Sequence, residues 1–170
     1  MRRSSKYIIS YYHELFNAPI DMQTFENRLL LQKRLYFLQE FGIPFEYSFG
    51  WYIRGPYSSE LADDGFENES ISKLSYSNWK HFSQYLPEPE NDDGTALQTA
   101  SKFFPYLGDC ARTNGIPEDR LLELSSSLHF LTANWYRGDY AAASNRLKKL
   151  KPEFSDREIE LAQQLLEKYF

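Results

Sequence analysis

Residues 45–61 read FEYSFGWYIRGPYSSEL, and the change of period inside this stretch decides the fold. Phe45, Tyr47, Phe49, Trp51 and Ile53 alternate with Glu46, Ser48, Gly50 and Tyr52, the two-residue period of a half-buried strand with one nearly all-aromatic face. Gly55-Pro56 follows. Proline has no amide hydrogen to give a ladder, so the pair predicts the end of that strand. Ser58 or Ser59 then offers an oxygen to the free amides of a helix opening at about residue 59, and Glu60, Asp63 and Asp64 put negative charge where the helix dipole favours it. The stretch is thus expected to form a corner at which an aromatic strand turns sharply into a helix.

On its N-terminal side, Leu31, Leu35 and Leu38 recur at steps of four and three, with Leu30, Phe37 and Phe41 widening the stripe. This predicts a long central helix over 25–41, capped by Asp21 or Thr24 and stopped by Gly42 and Pro44. Before it, residues 6–17 predict a short helix closed by Pro19.

On the C-terminal side the pattern loosens beyond Gly65 until a short helix over 78–86 bearing Trp79, Phe82 and Leu86. Residues 87–94, PEPENDDG, carry four acidic side chains, two prolines and no large apolar one, so they read as a solvated loop. Helices follow at 95–113, 117–136, 139–150 and 155–169. Pro117 suits a first helical turn, and Ser155 with Glu158 forms a capping box.

The expected fold class is therefore α+β, mainly α: a long central helix packed on a small antiparallel sheet of two or three strands that includes 45–53, followed by a C-terminal helical bundle. The parts are a mixed 1–86, open to a winged-helix-like reading, the acidic loop 87–94 and a helical 95–170, expected to form one compact unit.

Composition narrows function by exclusion. Hydrophobic residues are 42% and charged ones 25% of the 170 residues, which fits a globular protein. The formal net charge of -5 disfavours indiscriminate nucleic-acid binding, since phosphate affinity comes from clustered Lys and Arg. One cysteine, Cys110, forbids an internal disulfide, and with no apolar run long enough to span a membrane the expected location is cytoplasmic. Aromatic residues reach 17%, an excess suited to a half-buried margin or a recognition surface.

Candidate chemistry is sparse. Glu60, Asp63, Asp64 and Glu67 suggest a divalent-cation site, and through it a metal-dependent hydrolase, or a solvated helix start with dipole-matched acids. His13, His81 and His129 have no Cys or His partner at zinc-ligand spacing, and Cys110 reads as a small buried thiol. No nucleophile elbow, phosphate-binding glycine loop or dinucleotide fingerprint occurs, so no catalytic residue, cofactor or metal is assigned. The densest basic run, Arg146 to Lys151, reads as an amphipathic helix with Leu147 and Leu150 inward and lysines outward. Alternatively, Arg28, Lys33, Arg34 and Lys148 make phosphate contacts in a nucleic-acid-binding regulator. Alternation places Ser48, Tyr52 and Arg54 opposite the aromatic face. Tyr52, Arg54, Tyr57 and Ser58 are accordingly the candidate contacts to a partner protein.

The run Leu31-Gln32-Lys33-Arg34-Leu35-Tyr36-Phe37-Leu38, then Trp51-Tyr52 and Gly55-Pro56-Tyr57-Ser58, resembles the pattern of the YwgA-like proteins and, more distantly, the Panacea (SocA-like) antitoxin domain. Leu122-Glu123-Leu124, Ser127 to Leu131 and Lys151-Pro152-Glu153-Phe154 resemble the C-terminal half of YwgA-like chains, so the likeness touches most of 25–165. It implies a mainly helical fold without known catalytic residues. Panacea-type members act on toxins by direct contact, and their genes often sit in mobile or defence-related regions. Tyr57-Ser58 after Gly-Pro follows the YwgA-like group rather than Panacea. The functional expectation is a non-catalytic protein-interaction module, an antitoxin-like or adaptor-like regulator.

Overall fold

The computed structural model describes residues 5–89 and 93–170. Among them the chain is mainly helical α+β, with eight α-helices and one two-stranded antiparallel sheet. The order is α1 (Tyr7–Phe16), α2 (Phe25–Glu40), β1 (Gly50–Tyr52), β2 (Gly55–Tyr57), α3 (Ser59–Ser77), α4 (Trp79–Phe82), a 3-10 turn (Ser83–Tyr85), α5 (Gly94–Thr113), α6 (Glu118–Asn134), α7 (Tyr140–Leu150) and α8 (Asp156–Tyr169). Of the acidic loop expected over 87–94, residues 90–92 lie outside the described residues, and Gly94 opens α5. The chain forms two compact units, Met1–Phe49 with Ser58–Ser101, and Gly50–Tyr57 with Lys102–Phe170.

The first unit is organised by α2. Thr24 caps it, its hydroxyl accepting from the Asn27 amide at 3.1 Å. At the other end Gly42 takes a φ of +118°, and the Ile43 amide reaches back to the Leu38 carbonyl at 3.1 Å, a glycine-dependent stop. Leu31, Leu35, Phe37 and Leu38 are buried, each such side chain contributing about 2 kcal/mol.

The strand expected over 45–53 is corrected by the structure. Ile43, Phe45 and Tyr47 are buried while Pro44, Glu46 and Ser48 are exposed, so the alternation is real, yet 43–49 belongs to no sheet. Glu46 sits at a φ of +61°, which breaks the extended geometry a ladder requires. The backbone groups find a helix side chain instead. Gln39 donates its amide to the Tyr47 carbonyl at 3.0 Å and accepts from the Tyr47 amide at 2.8 Å. Tyr36 packs edge-on against Phe49 at 5.2 Å.

Helix α3 runs to Ser77, well past the point where the sequence pattern loosened. Its burial is inverted: Asp64, Asn68, Ser72 and Ser75 face inward with Leu61, while Phe66 and Leu74 are 57% and 54% exposed. The inner polar groups have work to do. The Ser72 hydroxyl accepts from the Ile20 amide at 2.8 Å, Asp64 accepts from the Tyr47 hydroxyl at 2.7 Å, and Asn68 donates to the Asp64 carbonyl at 2.8 Å. Gly65 fits because a Cβ there would lie 2.7 Å from Leu31 and 2.9 Å from Met22.

The second unit is built around α6, buried continuously from Leu121 to Thr132. Such all-round burial marks a central helix. It packs against α7 and α8, and β2 lies along it. Ser125, Ser126 and Ser127 are fully buried on it, small side chains that let neighbours approach. The capping box of α8 is present, Ser155 accepting from the Glu158 amide and Glu158 accepting from the Ser155 amide. Arg120 closes that end with two hydrogen bonds to the Glu158 carboxylate, at 2.8 and 3.1 Å. This guanidinium holds the Glu158 carboxyl below its ordinary pKa.

Candidate partner-docking surface

The hairpin Gly50–Tyr57 belongs to the second unit, and its construction differs from the expected strand end. Gly55-Pro56 does not terminate a strand. It is the second strand, with Trp51 opposite Pro56 and Tyr52 opposite Gly55. Ile53 and Arg54 make the tight turn between them, and Gly55 follows at a φ of +88°, a value glycine adopts without steric cost. Proline is tolerated because the sheet stops at two strands, which leaves no further neighbour for its missing amide.

The pleat gives the hairpin two faces. Trp51 turns toward Phe130 and Trp135, with ring centroids 6.1 and 5.8 Å away, which ties that face to the end of α6. Tyr52 and Tyr57 share the other face, with centroids 5.0 Å apart. Ile53 was expected on the aromatic, buried side. Instead it stands at the tip and is 90% exposed, because two-residue alternation ends where the turn begins. Tyr52 and Trp135 are also exposed.

Beneath the tip lies a buried ion pair. Lys151, 2% exposed, donates from Nζ to Glu123 Oε1 at 2.9 Å and to the Ile53 carbonyl at 2.9 Å. Arg54 Nε reaches the same Glu123 oxygen at 2.9 Å. Both turn residues are therefore fastened to the one ion pair, Ile53 through its carbonyl to Lys151 and Arg54 through its guanidinium to Glu123. Burying charge is costly unless it is paired and hydrogen-bonded, so this arrangement fixes the hairpin in one position.

The sequence reading placed Tyr52, Arg54, Tyr57 and Ser58 on the contact surface. Tyr52 and Arg54 are exposed and Tyr57 is half-buried. Ser58 is corrected: it is 1% exposed, belongs to the first unit, and its hydroxyl caps α3 by accepting from the Leu61 amide at 3.4 Å. The reading missed Glu123 and Lys151. Lys151 is buried, unlike the outward lysines expected after Leu147, and its position just past the end of α7 is the signal that it leaves the amphipathic pattern.

The four phosphate-contact candidates do not fall in one unit: Arg28, Lys33 and Arg34 lie in the first and Lys148 in the second. Lys33 is 2% exposed, which removes it from any surface. Arg28 donates to the Met22 carbonyl at 2.9 Å, and Arg34 donates to the Tyr12 hydroxyl at 2.7 Å while its guanidinium lies 4.2 Å from the centre of the Phe16 ring. Lys148, in the second unit, pairs with Asp156 at 3.2 Å. Nor do Glu60, Asp63 and Asp64 form a metal centre. Asp64 is buried and turned to Tyr47 while Glu60 and Asp63 face outward, and no three His, Cys, Asp or Glu converge among the described residues. Among the same residues no helix is long and apolar enough to cross a membrane.

Comparison with protein-family models, with curated proteins and with solved structures returns no match for this chain.

Proposed function

We propose that this chain is a non-catalytic protein-interaction module, of the antitoxin-like or adaptor-like kind, that presents the Ile53 hairpin tip to a partner protein. One observation carries the reading: an isoleucine almost wholly in water at a tight turn, where polar residues and glycine are the norm, on a backbone locked by the buried Lys151–Glu123 pair. Tyr52, its neighbour in the chain, is also exposed, and Arg54 adds a charged group. Aromatic, aliphatic and arginine side chains on a rigid element are the make-up of interface anchors, since little side-chain and backbone freedom is left to lose on binding.

The test is affinity capture from the native host with immobilised wild-type chain and with a Tyr52→Ser/Ile53→Ser variant of unchanged thermal stability. The expected result is a partner protein retained by the wild type and lost by the variant. Equal retention of every captured protein by both overturns the proposal.

A further inference from the structure

The first unit contains a cavity of about 750 Å³ beside the last turn of α1. Ser10, His13, Glu14 and Asn17 of α1 line one side, and Trp79 and Glu88 stand among the residues of the other. The wall is one-sided in charge: two carboxylates and no Lys or Arg line it among the described residues. Pro87, next to Glu88, is tied to α1 by the Ser10 hydroxyl, which donates to its carbonyl.

We propose that this cavity binds a small organic cation, an alkylammonium held between the carboxylates of Glu14 and Glu88 and the aromatic wall of Trp79. Three further observations converge on a cation. The cavity adjoins the carbonyl end of α1, where Asn17 closes the helix in the left-handed conformation and the helix dipole presents its negative pole. The Trp79 indole, stacked on His13 at 3.8 Å with Tyr76 edge-on to the same imidazole at 5.4 Å, gives an electron-rich wall. The His13 ring itself offers no repelling charge: burial lowers its pKa, against an opposing pull from Glu14, and so favours the neutral form.

A bare metal ion suits the site less well. Hard divalent cations require several converging oxygens, and no three His, Cys, Asp or Glu converge among the described residues. Leu97 and Pro89, also in the lining, match the hydrocarbon body of an amine. The volume lies in the range of small-molecule sites.

The experiment is isothermal titration of the full chain with 1,4-diaminobutane and with tetramethylammonium, each beside succinate and magnesium chloride. The expected result is saturable one-site binding of at least one ammonium with no saturable heat from succinate. Glu14 and Glu88 are exposed, so Glu14→Gln and Glu88→Gln retain the fold, which thermal unfolding verifies. Each is expected to weaken amine binding about fivefold, as half-exposed charge pairs do, whereas the charge-matched control Glu60→Gln leaves it unchanged. The proposal is overturned if neither ammonium saturates by about 10 mM, the weak limit of small-ligand recognition. It is equally overturned if magnesium binds and the amines do not, or if Glu60→Gln weakens amine binding as much as the cavity variants, which marks diffuse attraction to an acidic chain.

Discussion

The Gln32 side chain and the backbone of Ser58 form a closed pair of hydrogen bonds: Nε2 donates to the Ser58 carbonyl at 2.8 Å and Oε1 accepts from the Ser58 amide at 2.9 Å. One heptad later on the same helix, Gln39 makes the identical pair with Tyr47. A primary amide has the donor and acceptor geometry of a peptide group, so α2 acts toward both segments as a strand would. Gln32→Leu removes both partners of two buried backbone groups, and each orphaned group costs about 1–3 kcal/mol. The expected loss is about 2–6 kcal/mol, read from the urea midpoint at unchanged slope. Gln39→Leu costs less, because Gln39 is only half-buried. A Gln32→Leu loss below about 0.5 kcal/mol would show that water replaces the amide.

These two glutamines also explain what the sequence made legible. The apolar stripe of α2, its Thr24 cap and glycine stop, and the capping box of α8 are local signals, and the helices they announce are present. Within the period-two run read over 45–53, Phe45 and Tyr47 are buried as the alternation announced, while Phe49 and Trp51 are half-buried and Ile53 is exposed. The alternation did not announce the hydrogen-bond partner, because alternating burial is a property of extended chain whether a strand or a helix side chain satisfies the backbone. The end of α3 was hidden for a different reason. Serine, asparagine and glycine face inward there and phenylalanine faces outward, so a search for apolar periodicity finds the wrong side. Among the candidate contacts, exposed Tyr52 and Arg54 were accessible to pattern reading. The Glu123–Lys151 pair beneath them joins residues 28 positions apart, and no local pattern reports that.

That pair yields the second prediction. Glu123→Leu leaves the buried Lys151 ammonium only the more distant and half-exposed Glu153 carboxylate, at 3.8 Å, and removes the Arg54–Glu123 ion pair. Breaking one side of a buried ion pair costs about 3–5 kcal/mol, whereas replacing both sides with apolar groups is often neutral. Glu123→Leu is therefore expected to lose several kcal/mol, and the Glu123→Leu/Lys151→Met double variant to recover most of that loss. A double-mutant cycle in chemical denaturation measures the coupling. Strict additivity of the two single losses would remove the pair as the hairpin's anchor.

His129 supplies a pH dependence. Its ring lies 4.2 Å from that of Phe170, and burial lowers its pKa from 6.5 to about 4. The unfolded chain therefore binds a proton at a higher pH than the folded one, so stability falls as pH drops below 6.5 and this loss is complete near 4. Between pH 7 and 5 the contribution is about 2 kcal/mol, at 1.36 kcal/mol per unit. The burial-lowered pKa of His13 acts in the same direction. His129→Phe keeps a ring against Phe170 and removes the titration, so its stability profile from pH 7 to 5 is expected to be markedly flatter. The falsifying outcome is an unchanged slope in the variant.

The inverted face of α3 gives the last prediction. Phe66 and Leu74 are exposed, while Asn68 and Ser72 are buried and hydrogen-bonded. Ordinary hydrophobic reasoning makes Phe66→Ser and Leu74→Ser damaging and Ser72→Leu beneficial. The structure cancels the first effect and reverses the second. The serine variants remove apolar surface that already meets water, so stability is expected to stay within about 0.5 kcal/mol of wild type while binding of a hydrophobic dye falls. Ser72→Leu removes the oxygen that accepts from the Ile20 amide and forces extra methylenes into a filled site. Those two effects together cost about 2–5 kcal/mol. Thermal unfolding of the three variants side by side decides the matter. A stabilised Ser72→Leu would mean that α3 turns its apolar side inward in solution, and with it the outward Phe66 surface would disappear.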